Sequence, residues 1–319
     1  VFQVSAFFAA LKISRKEKID VIYGYEIYGV PVSKLLSVLW KIPIVARYQG
    51  TILGLVWMKK FLWRVRAWQF LVAYKIPVDL IIMTNDGSQG DLVLKRLGVD
   101  LKKMRFWVNG VDWGLFSKKI SEKEFREELS IDCKNILIVV SRLMRLKRVD
   151  RSIRALSYAA KKIPDVKLLI VGDGPEKERL WKLANDLGVK KYIQFIGAVS
   201  HEKIPKYLAT ADIFLSFYDW SNMGNPLIEA MMAGKCIVTL NNGDTGTIIK
   251  NNYNGILLEE SDEEKLIKNI SQNVINLLET SQLREKLGKG AKEFAKKNFW
   301  TWRERMKTEI KEVEKLIIK

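Results

Sequence analysis

The sequence predicts an α/β protein built on parallel β-sheets that are buried on both faces. Short apolar runs recur along the chain and alternate with amphipathic stretches of helical periodicity. Runs of this length, separated by helices, are typical of strands in a parallel sheet that helices cover on both sides. The strand candidates are Asp20–Ile22, Pro43–Val45, Leu80–Met83, Ile136–Val140, Leu168–Val171, Ile213–Leu215 and Cys236–Val238.

Helix signals fill the gaps between these strand candidates. The clearest helical stretches are followed by Pro or Gly, residues that end helices. They are Arg151–Lys162, Glu176–Leu187 and Asn225–Met232. Each lies between two strand candidates, so strand and helix alternate as a parallel sheet requires.

The length of 319 residues is enough for two domains, each with its own core. The charged stretch from Lys118 to Lys134 separates two strand–helix series. We therefore expect an N-terminal Rossmann-like domain at residues 1–118 and a C-terminal one at 119–298. The last segment, 299–319, reads as an amphipathic helix that packs back on the first domain. Its predicted apolar face consists of Trp302, Met306, Ile310, Val313 and Leu316.

The composition favours an anionic partner but does not choose one. Lys and Arg total 54 against 36 Asp and Glu, a net charge of +18, which suits nucleic acid, acidic lipid or a phosphorylated substrate. No apolar run reaches the length of about 18 residues that a membrane span needs, and no signal-peptide pattern follows Val1. We expect a cytoplasmic protein, soluble or peripheral on the inner face of the membrane.

Cysteine and histidine are too scarce for zinc chemistry. Cys133 and Cys236 are isolated, and His201 is the only histidine. A zinc site needs several such ligands close together, and a Ser-His-Asp triad would depend on this one residue. We expect no metal or covalent cofactor, and we expect His201 to be a surface residue at a helix start, far from the chemistry.

A basic loop follows the first strand of the second half. Strand Ile136–Val140 runs into Ser141–Lys147, which carries Arg142 and Lys147. In an open parallel sheet, ligands bind beyond the carboxyl ends of the strands. Arg offers a planar fork of donors and Lys a point charge, so the loop predicts a diphosphate site. The alternative is a solvated basic loop.

Two later loops strengthen this prediction. The next strand ends in a turn with Gly172, Asp173 and Gly174, and a helix begins at Pro175. A second turn leads to a helix N-terminus, whose free N–H groups favour anions. The donor-binding residues expected there are Ser221, Asn222, Gly224, Asn225, Pro226 and Leu227. Glu229, one turn into that helix, is placed to accept hydrogen bonds from ribose hydroxyls.

Taken together, the motifs resemble the retaining GT-B glycosyltransferases of family 4. The matching residues are Ser141-Arg142-Leu143 with Lys147, Val171–Pro175, Phe195-Ile196-Gly197, Ala211–Phe214, Glu229–Gly234 and Asn254-Gly255. Weaker similarity extends upstream through Ile42–Val45, Gln49-Gly50-Thr51 and Val108–Asp112. The combination over about Asn135–Leu258 is far more specific than any single motif.

The resemblance implies two Rossmann-like domains facing across a cleft, with the nucleotide-sugar donor on the second and the acceptor on the first. Arg142 and Lys147 match the positions that neutralise the donor diphosphate, and Glu229 matches the ribose-binding acid. Gln49, Gly50 and Asn109 are the acceptor-side candidates. The implied reaction is sugar transfer to a glycan or lipid-linked acceptor with retention of anomeric configuration.

Three departures from the family pattern bear on activity. Ser221 stands where the family carries the first of two glutamates, so Asp219, Asn222 or Asn225 is expected to contact the sugar instead. Gln49 stands near the position of a histidine that often lines the cleft. The sequence opens inside a helix-like stretch rather than with a strand and a Gly-rich turn. We expect a missing N-terminus, and we would expect inactivity or nucleotide binding alone only if the protein truly began at Val1.

An amphipathic stretch, Met58–Val72, predicts contact with an anionic membrane. One helical face carries apolar and aromatic side chains, and the other carries Lys59, Lys60, Arg64 and Arg66. Basic, aromatic-rich helices of this kind lie in membrane interfaces. The alternative is a helix that faces the core of its domain.

Other classes of function remain open at this stage. A nucleotide-binding protein without transferase activity would carry the same phosphate loop. A GT-B-fold epimerase would need acidic and His residues that are absent here. A nucleic-acid-binding module would need its cations clustered with stacking aromatics, whereas here they are spread along the chain, so we expect no nucleic-acid partner.

Overall fold

The computed structural model describes residues 2–54, 65, 67–116 and 120–318. The chain divides into two compact units, one formed by Val1–Gly110 with Trp300–Lys319 and the other by Val111–Phe299. The division falls after Gly110, whereas the sequence predicted a boundary at Lys118. Element labels below number the described helices and strands in chain order.

The first unit contains a parallel β-sheet and the helices before, between and after its strands. Over the described residues, its strands are β1 (Ile22–Tyr25), β2 (Ile44–Tyr48), β3 (Leu80–Thr84) and β4 (Met104–Trp107), in the order β1-β2-β3-β4. Its helices are α1 (Phe2–Ser14), α2 (Glu26–Trp40), α3 (Trp68–Lys75), α4 (Gly90–Arg96) and the C-terminal α14 (Trp302–Ile317). The central strands β2 and β3 are buried along their whole length, which accounts for their apolar sequences.

The C-terminal helix α14 buries a face different from the predicted one. Trp302, Met306 and Ile310 are exposed, and the buried residues are Arg305, Glu309 and Val313. The prediction of an apolar packing face is therefore wrong for three of its five residues.

A buried charge network explains the orientation of α14. Arg305 donates to Glu309 at 2.7 Å, and the same carboxylate lies 3.7 Å from Nε of Arg47 on β2. The Arg305 guanidinium also stacks 4.4 Å from the ring centroid of Trp107. Buried charges must be paired, so these partners on the sheet fix which face of α14 turns inward.

The second unit contains a larger parallel sheet. Its described strands are β5 (Asn135–Val140), β6 (Val166–Val171), β7 (Ile193–Gly197), β8 (Ile213–Ser216), β9 (Cys236–Leu240) and β10 (Ile256–Leu258). Its helices are α5 (Trp113–Phe116), α6 (Glu122–Glu128), α7 (Val149–Lys162), α8 (Lys177–Asp186), α9 (Ile204–Thr210), α10 (Asn225–Met232), α11 (Thr245–Ile248), α12 (Glu263–Glu279) and α13 (Ser281–Asn298).

The strand order of this sheet is β10-β9-β8-β5-β6-β7. The chain runs outward from β5 through β6 to β7 and then returns to β8 on the other side of β5. The connections after β5 and β8 therefore diverge at a topological switch point, where open α/β sheets bind ligands beyond the carboxyl ends of their strands. The basic loop Ser141–Lys147 follows β5 at this point.

All seven strands expected from the sequence are present, but β4, β7 and β10 were not among them. These three strands lie at the edges of their sheets, and β4 and β7 are only partly buried. In the part of the chain that the structure describes, no helix is both long enough and apolar enough to cross a bilayer.

Candidate functional site

The basic loop after β5 and the glycine turn after β6 are joined by backbone hydrogen bonds. Ser141 N donates to Val171 O at 3.0 Å, and Leu143 N donates to Asp173 O at 2.9 Å. Glu176 N in turn donates to Leu143 O at 3.0 Å. Each segment thus satisfies the polar backbone of the other, and the pairing of β5 with β6 continues into the loops.

The close approach of these two segments requires glycine. Gly172 has φ +133° and Gly174 has φ +156°, values that side chains rarely adopt. A Cβ on Gly172 would overlap the carbonyl oxygen of Ser141, and one on Gly174 would lie 2.5 Å from that of Leu143. The two glycines therefore let the turn pack directly against the basic loop.

The two predicted phosphate ligands differ in how they are held. Arg142 is exposed, and its guanidinium makes no hydrogen bond or ion pair with the residues that the structure describes. Lys147 ends a 3₁₀ turn, and its Nζ lies 3.8 Å from the ring centroid of Tyr218. Tyr218 is buried and donates its hydroxyl to Val140 O at 3.3 Å. Burial raises the pKa of Tyr218 to about 12, so that hydroxyl keeps its proton at neutral pH.

Arg148, the residue after Lys147, ties the basic loop to the next one. Its backbone is left-handed, with φ 44°, a conformation that costs a residue with a side chain about 1 kcal/mol. Its guanidinium donates to Asp150 at 3.2 Å and to Asp219 at 3.0 Å, and it also contacts Glu263. Burial alone would lower the pKa of Arg148, but the hydrogen bonds and charges of these carboxylates raise it overall.

This network occupies Asp219, one of the residues expected to contact the sugar. Arg151 lies 3.1 Å from the same carboxylate oxygen, Oδ1, that Arg148 binds. The backbone N–H of Asp219 donates to Leu146 O at 3.1 Å. Asp219 therefore fixes the loop after β8 against the basic loop, and its carboxylate is engaged within the protein.

Asn222, another residue expected to contact the donor, is held by hydrogen bonds inside the second unit. It is completely buried, and its Oδ1 accepts hydrogen bonds from Ser216 Oγ at 2.7 Å and Tyr218 N at 2.9 Å. Its Nδ2 donates to Asn242 at 2.9 Å. With these partners the amide is satisfied inside the core, and donor contact by Asn222 stays a prediction.

The N-terminus of α10 retains part of the predicted donor site. Leu227 is 1% exposed and donates its N–H to Gly224 O at 3.1 Å, so its contact with the donor stays a prediction. Ser221 accepts a hydrogen bond from Met223 N at 3.1 Å and stabilises the turn. Gly224, Asn225 and Pro226 form the exposed or half-exposed start of the helix. An anion there would meet the positive end of the helix dipole.

Glu229, the candidate ribose ligand, has a partner that the sequence did not suggest. Its side chain is 11% exposed, and its Oε1 lies 2.9 Å from Nε2 of His201. His201 begins a 3₁₀ turn in the segment after β7. The expectation that His201 lies far from the candidate site is therefore wrong.

Asp173 completes the turn after β6. Its carboxylate accepts a hydrogen bond from Gly174 N at 2.7 Å and lies 3.2 Å from Lys177 Nζ. The hydrogen bond from Gly174 is the main reason that the pKa of Asp173 is lowered, and Lys177 adds to the effect. At neutral pH the turn thus carries a negative charge that is satisfied locally.

In the first unit, the acceptor-side candidates lie at the carboxyl ends of the strands. Gln49 follows β2. Its side-chain Oε1 accepts a hydrogen bond from Thr84 Oγ1 at 3.1 Å, and its backbone N–H donates to Glu26 Oε1 at 2.7 Å. Asn109 lies 3.5 Å from the same Thr84 oxygen. Gly50 has φ +129°, and a Cβ there would overlap the Asp86 carboxylate. Burial is the main cause that raises the pKa of the Glu26 carboxyl.

The sequence of the second unit matches a known family over most of its length. Residues 121–294, more than half of the chain, match the family described as Glycosyl transferases group 1. The chain belongs to the group 1 glycosyl transferases. All the loops described above in the second unit, from Ser141 to Glu229, lie within the matched segment.

Two relatives show how far the sequence similarity extends. An uncharacterised glycosyltransferase of Methanocaldococcus jannaschii is 31% identical over 250 residues, which cover 78% of this chain and 59% of that protein. The Escherichia coli UDP-Gal:α-D-GlcNAc-diphosphoundecaprenol α-1,3-galactosyltransferase is 26% identical over 292 residues, covering 88% of this chain and 73% of that protein. The chain thus spans between about half and three quarters of the length of curated relatives that it matches.

Solved structures confirm the α/β GT-B fold class. HepE from Anabaena in complex with UDP has a TM-score of 0.78 and 19% identity, covering 94% of this chain and 80% of HepE. WaaG, a glycosyltransferase involved in lipopolysaccharide biosynthesis, has a TM-score of 0.69 and 17% identity, covering 91% and 90%. At these identities the likeness concerns the fold.

Substitution of Gly172 tests the close packing of the two loops. We expect Gly172→Ala to lower the free energy of unfolding of the second unit by about 3 kcal/mol, because the methyl group meets a backbone oxygen at a strained φ. Gly188→Ala is the matched control, since Gly188 has φ +68° but open space around its Cβ position. It should cost only about 1 kcal/mol. Equal losses in urea denaturation would contradict the packing argument.

Proposed function

We propose that this chain transfers a sugar from a nucleoside-diphosphate sugar to a glycan or lipid-linked acceptor with retention of anomeric configuration. The observation that carries the proposal is the arrangement at the switch point of the second sheet. There a basic loop, a glycine turn and a helix N-terminus follow β5, β6 and β8 at one edge. Membership of the group 1 glycosyl transferases supports the same reading.

In the proposed reaction, the bond between the anomeric carbon and the diphosphate oxygen breaks, and its electron pair leaves with the diphosphate. Arg142 and Lys147 stabilise the charge that develops on this leaving group, and they do so best when held in place beforehand. The cation–π contact with Tyr218 holds Lys147, whereas Arg142 extends into solvent. The acceptor oxygen bonds to the same face of the sugar and passes its proton to the departing phosphate.

The nucleoside of the donor is assigned to the segment after β8, on the side of the switch point opposite the glycine turn after β6. We propose that Glu229 accepts hydrogen bonds from the ribose and that Gly224, Asn225 and Pro226 at the start of α10 contact the donor near its diphosphate. UDP and UDP-glucose are bound in the structures of Anabaena HepE, so uridine nucleotides are the first donors to test. Gly172, Asp173 and Gly174 shape the site, and Ser221 stabilises the adjoining turn.

The acceptor is assigned to the first unit, at the carboxyl ends of β2 and β4. Gln49 and Asn109 both lie within reach of Thr84, so polar side chains from two strand ends meet there. The name of the E. coli relative specifies a diphosphoundecaprenol-linked acceptor. We propose an acceptor of that chemical kind, a sugar on a lipid carrier or a growing glycan.

A lipid-linked acceptor would require the chain to approach a membrane. We propose that the stretch Met58–Val72 docks on anionic lipid at the inner face of the membrane, on the strength of its basic and aromatic sequence. Most of this stretch, residues 58–64 and 66, lies outside the described residues. From Trp68 onward the chain forms α3, where Trp68 and Val72 are exposed.

Removing the two cations tests the diphosphate site. Wild-type chain should bind UDP or GDP in isothermal titration, and replacing Arg142 and Lys147 together with Ala should weaken binding by about 100-fold or more. The estimate follows from losing two charge-assisted hydrogen bonds. Arg154→Ala, an exposed arginine on α7, removes the same kind of charge outside the loop and should leave binding unchanged. An unchanged affinity in the double variant would place the diphosphate elsewhere, and no nucleotide binding by wild type would contradict the proposed function.

Liposome sedimentation tests the membrane proposal. The chain should sediment with vesicles of anionic phospholipid, and less so with neutral phosphatidylcholine, because the cations of Met58–Val72 are attracted by about 1 kcal/mol each. Replacing Lys59 and Arg64 with Gln should reduce binding several-fold, while the same change at Lys161 and Lys162 at the end of α7 should not. Binding that depends neither on anionic lipid nor on Lys59 and Arg64 would exclude this segment as the docking surface.

A further inference from the structure

The only histidine of the chain contacts the carboxylate assigned to the ribose. His201 Nε2 and Glu229 Oε1 are 2.9 Å apart, although 28 positions separate the two residues in sequence. We infer that His201 is a positioning residue that orients Glu229 in the donor site. This inference rests on the proposed function, in which Glu229 binds ribose hydroxyls.

The burial of Glu229 shows why such a partner is needed. The carboxylate belongs to α10, where every residue from Leu227 to Met232 is buried, and its own side chain is 11% exposed. A carboxylate withdrawn from water is costly unless a donor compensates it. Among the described residues, His201 is the one side chain that makes a hydrogen bond or ion pair with it.

The geometry of the pair leaves half of the carboxylate for a ligand. With its proton on Nε2, His201 donates to Oε1, since a carboxylate can only accept. Oε2 then keeps its lone pairs for hydroxyl groups of a ribose, and the rotation of the carboxylate is fixed by the bond to the ring. His201 itself is 58% exposed at the side chain, so it lies at the rim of the site while Glu229 lies deeper.

The chain position of His201 adds a fourth loop to the site. It begins the 3₁₀ turn His201–Lys203, which follows β7 and leads into α9. The segments after β5, β6 and β8 supply the basic loop, the glycine turn and α10. The segment after β7 thus acts on the site through Glu229.

A nucleotide without ribose hydroxyls distinguishes the positioning of Glu229 by His201 from an effect of His201 on the phosphate or on the fold of the loop. We would measure affinities by isothermal titration for UDP and 2′,3′-dideoxy-UDP, or the guanosine pair if wild type prefers GDP. The variants are His201→Ala, His201→Gln and Lys203→Ala, an exposed side chain in the same turn that serves as the control. Gln can place an amide N–H near the position of Nε2, so it tests for rescue.

We expect His201→Ala to weaken binding of the ribonucleotide about tenfold, the loss of one charge-assisted hydrogen bond. The affinity for the dideoxy nucleotide should change by less than about twofold, because this nucleotide has no ribose hydroxyls for Glu229 to bind. His201→Gln should recover most of the loss, and Lys203→Ala should match wild type. The ratio of the two affinities is a readout that simple misfolding of the turn would not move.

Two results would overturn the inference while leaving the proposed function intact. If His201→Ala lost the same affinity for both nucleotides, His201 would act on the phosphate or on the fold of the loop. No loss on either nucleotide would show that the contact with Glu229 has no role in binding. If wild type binds neither UDP nor GDP, the proposed function itself fails, and the role of His201 fails with it.

Discussion

The backbone contact between the loop after β5 and the turn after β6 sets the geometry at the carboxyl edge of the sheet in the second unit. Val171 and Asp173 carbonyls accept from Ser141 and Leu143, and this continues the ladder of the sheet beyond its last residues. Only glycine fits at Gly172 and Gly174, because a Cβ would meet a carbonyl oxygen. Main-chain hydrogen bonds thus hold the base of the loop that carries Arg142 and Lys147.

Around that base, many polar side chains hydrogen-bond or form ion pairs within the loops. Few of the described polar side chains there are left to contact a ligand. Asp219 is held by Arg148 and Arg151, and Asn222 is saturated within the core. These contacts order the segment between β8 and α10 before any ligand arrives, which lowers the entropy cost of binding. The strained backbone of Arg148 is consistent with this role, since its guanidinium joins three carboxylates from separate segments.

The sequence predicted the buried centre of both sheets and the loop that carries the cations. β5 and β6 are continuous apolar runs because both of their faces are covered. A basic loop directly after such a strand can be recognised from the sequence alone. The edge strands β4 and β7 escaped prediction because they are only partly buried and carry polar residues such as Arg105 and Gln194. A strand with one solvated face resembles a loop in composition.

Contacts between distant segments account for the site residues that the sequence could not assign. The motif around α10 contains Asn222 and Leu227, but nothing in their spacing tells that both are buried. The pairing of His201 with Glu229 depends on how the turn after β7 meets helix α10. In α14, charge pairing with Arg47 accompanies a buried face that shares Val313 with the predicted apolar stripe but is rotated toward Arg305 and Glu309.

A crystal structure of the chain with bound UDP tests the central claim most directly. We expect the diphosphate within hydrogen-bond distance of Arg142 and Lys147, and the ribose hydroxyls on Glu229, at the carboxyl ends of β5 and β8. A nucleotide bound away from this edge, or bound there with its diphosphate facing away from both cations, would contradict the assignment of the donor site.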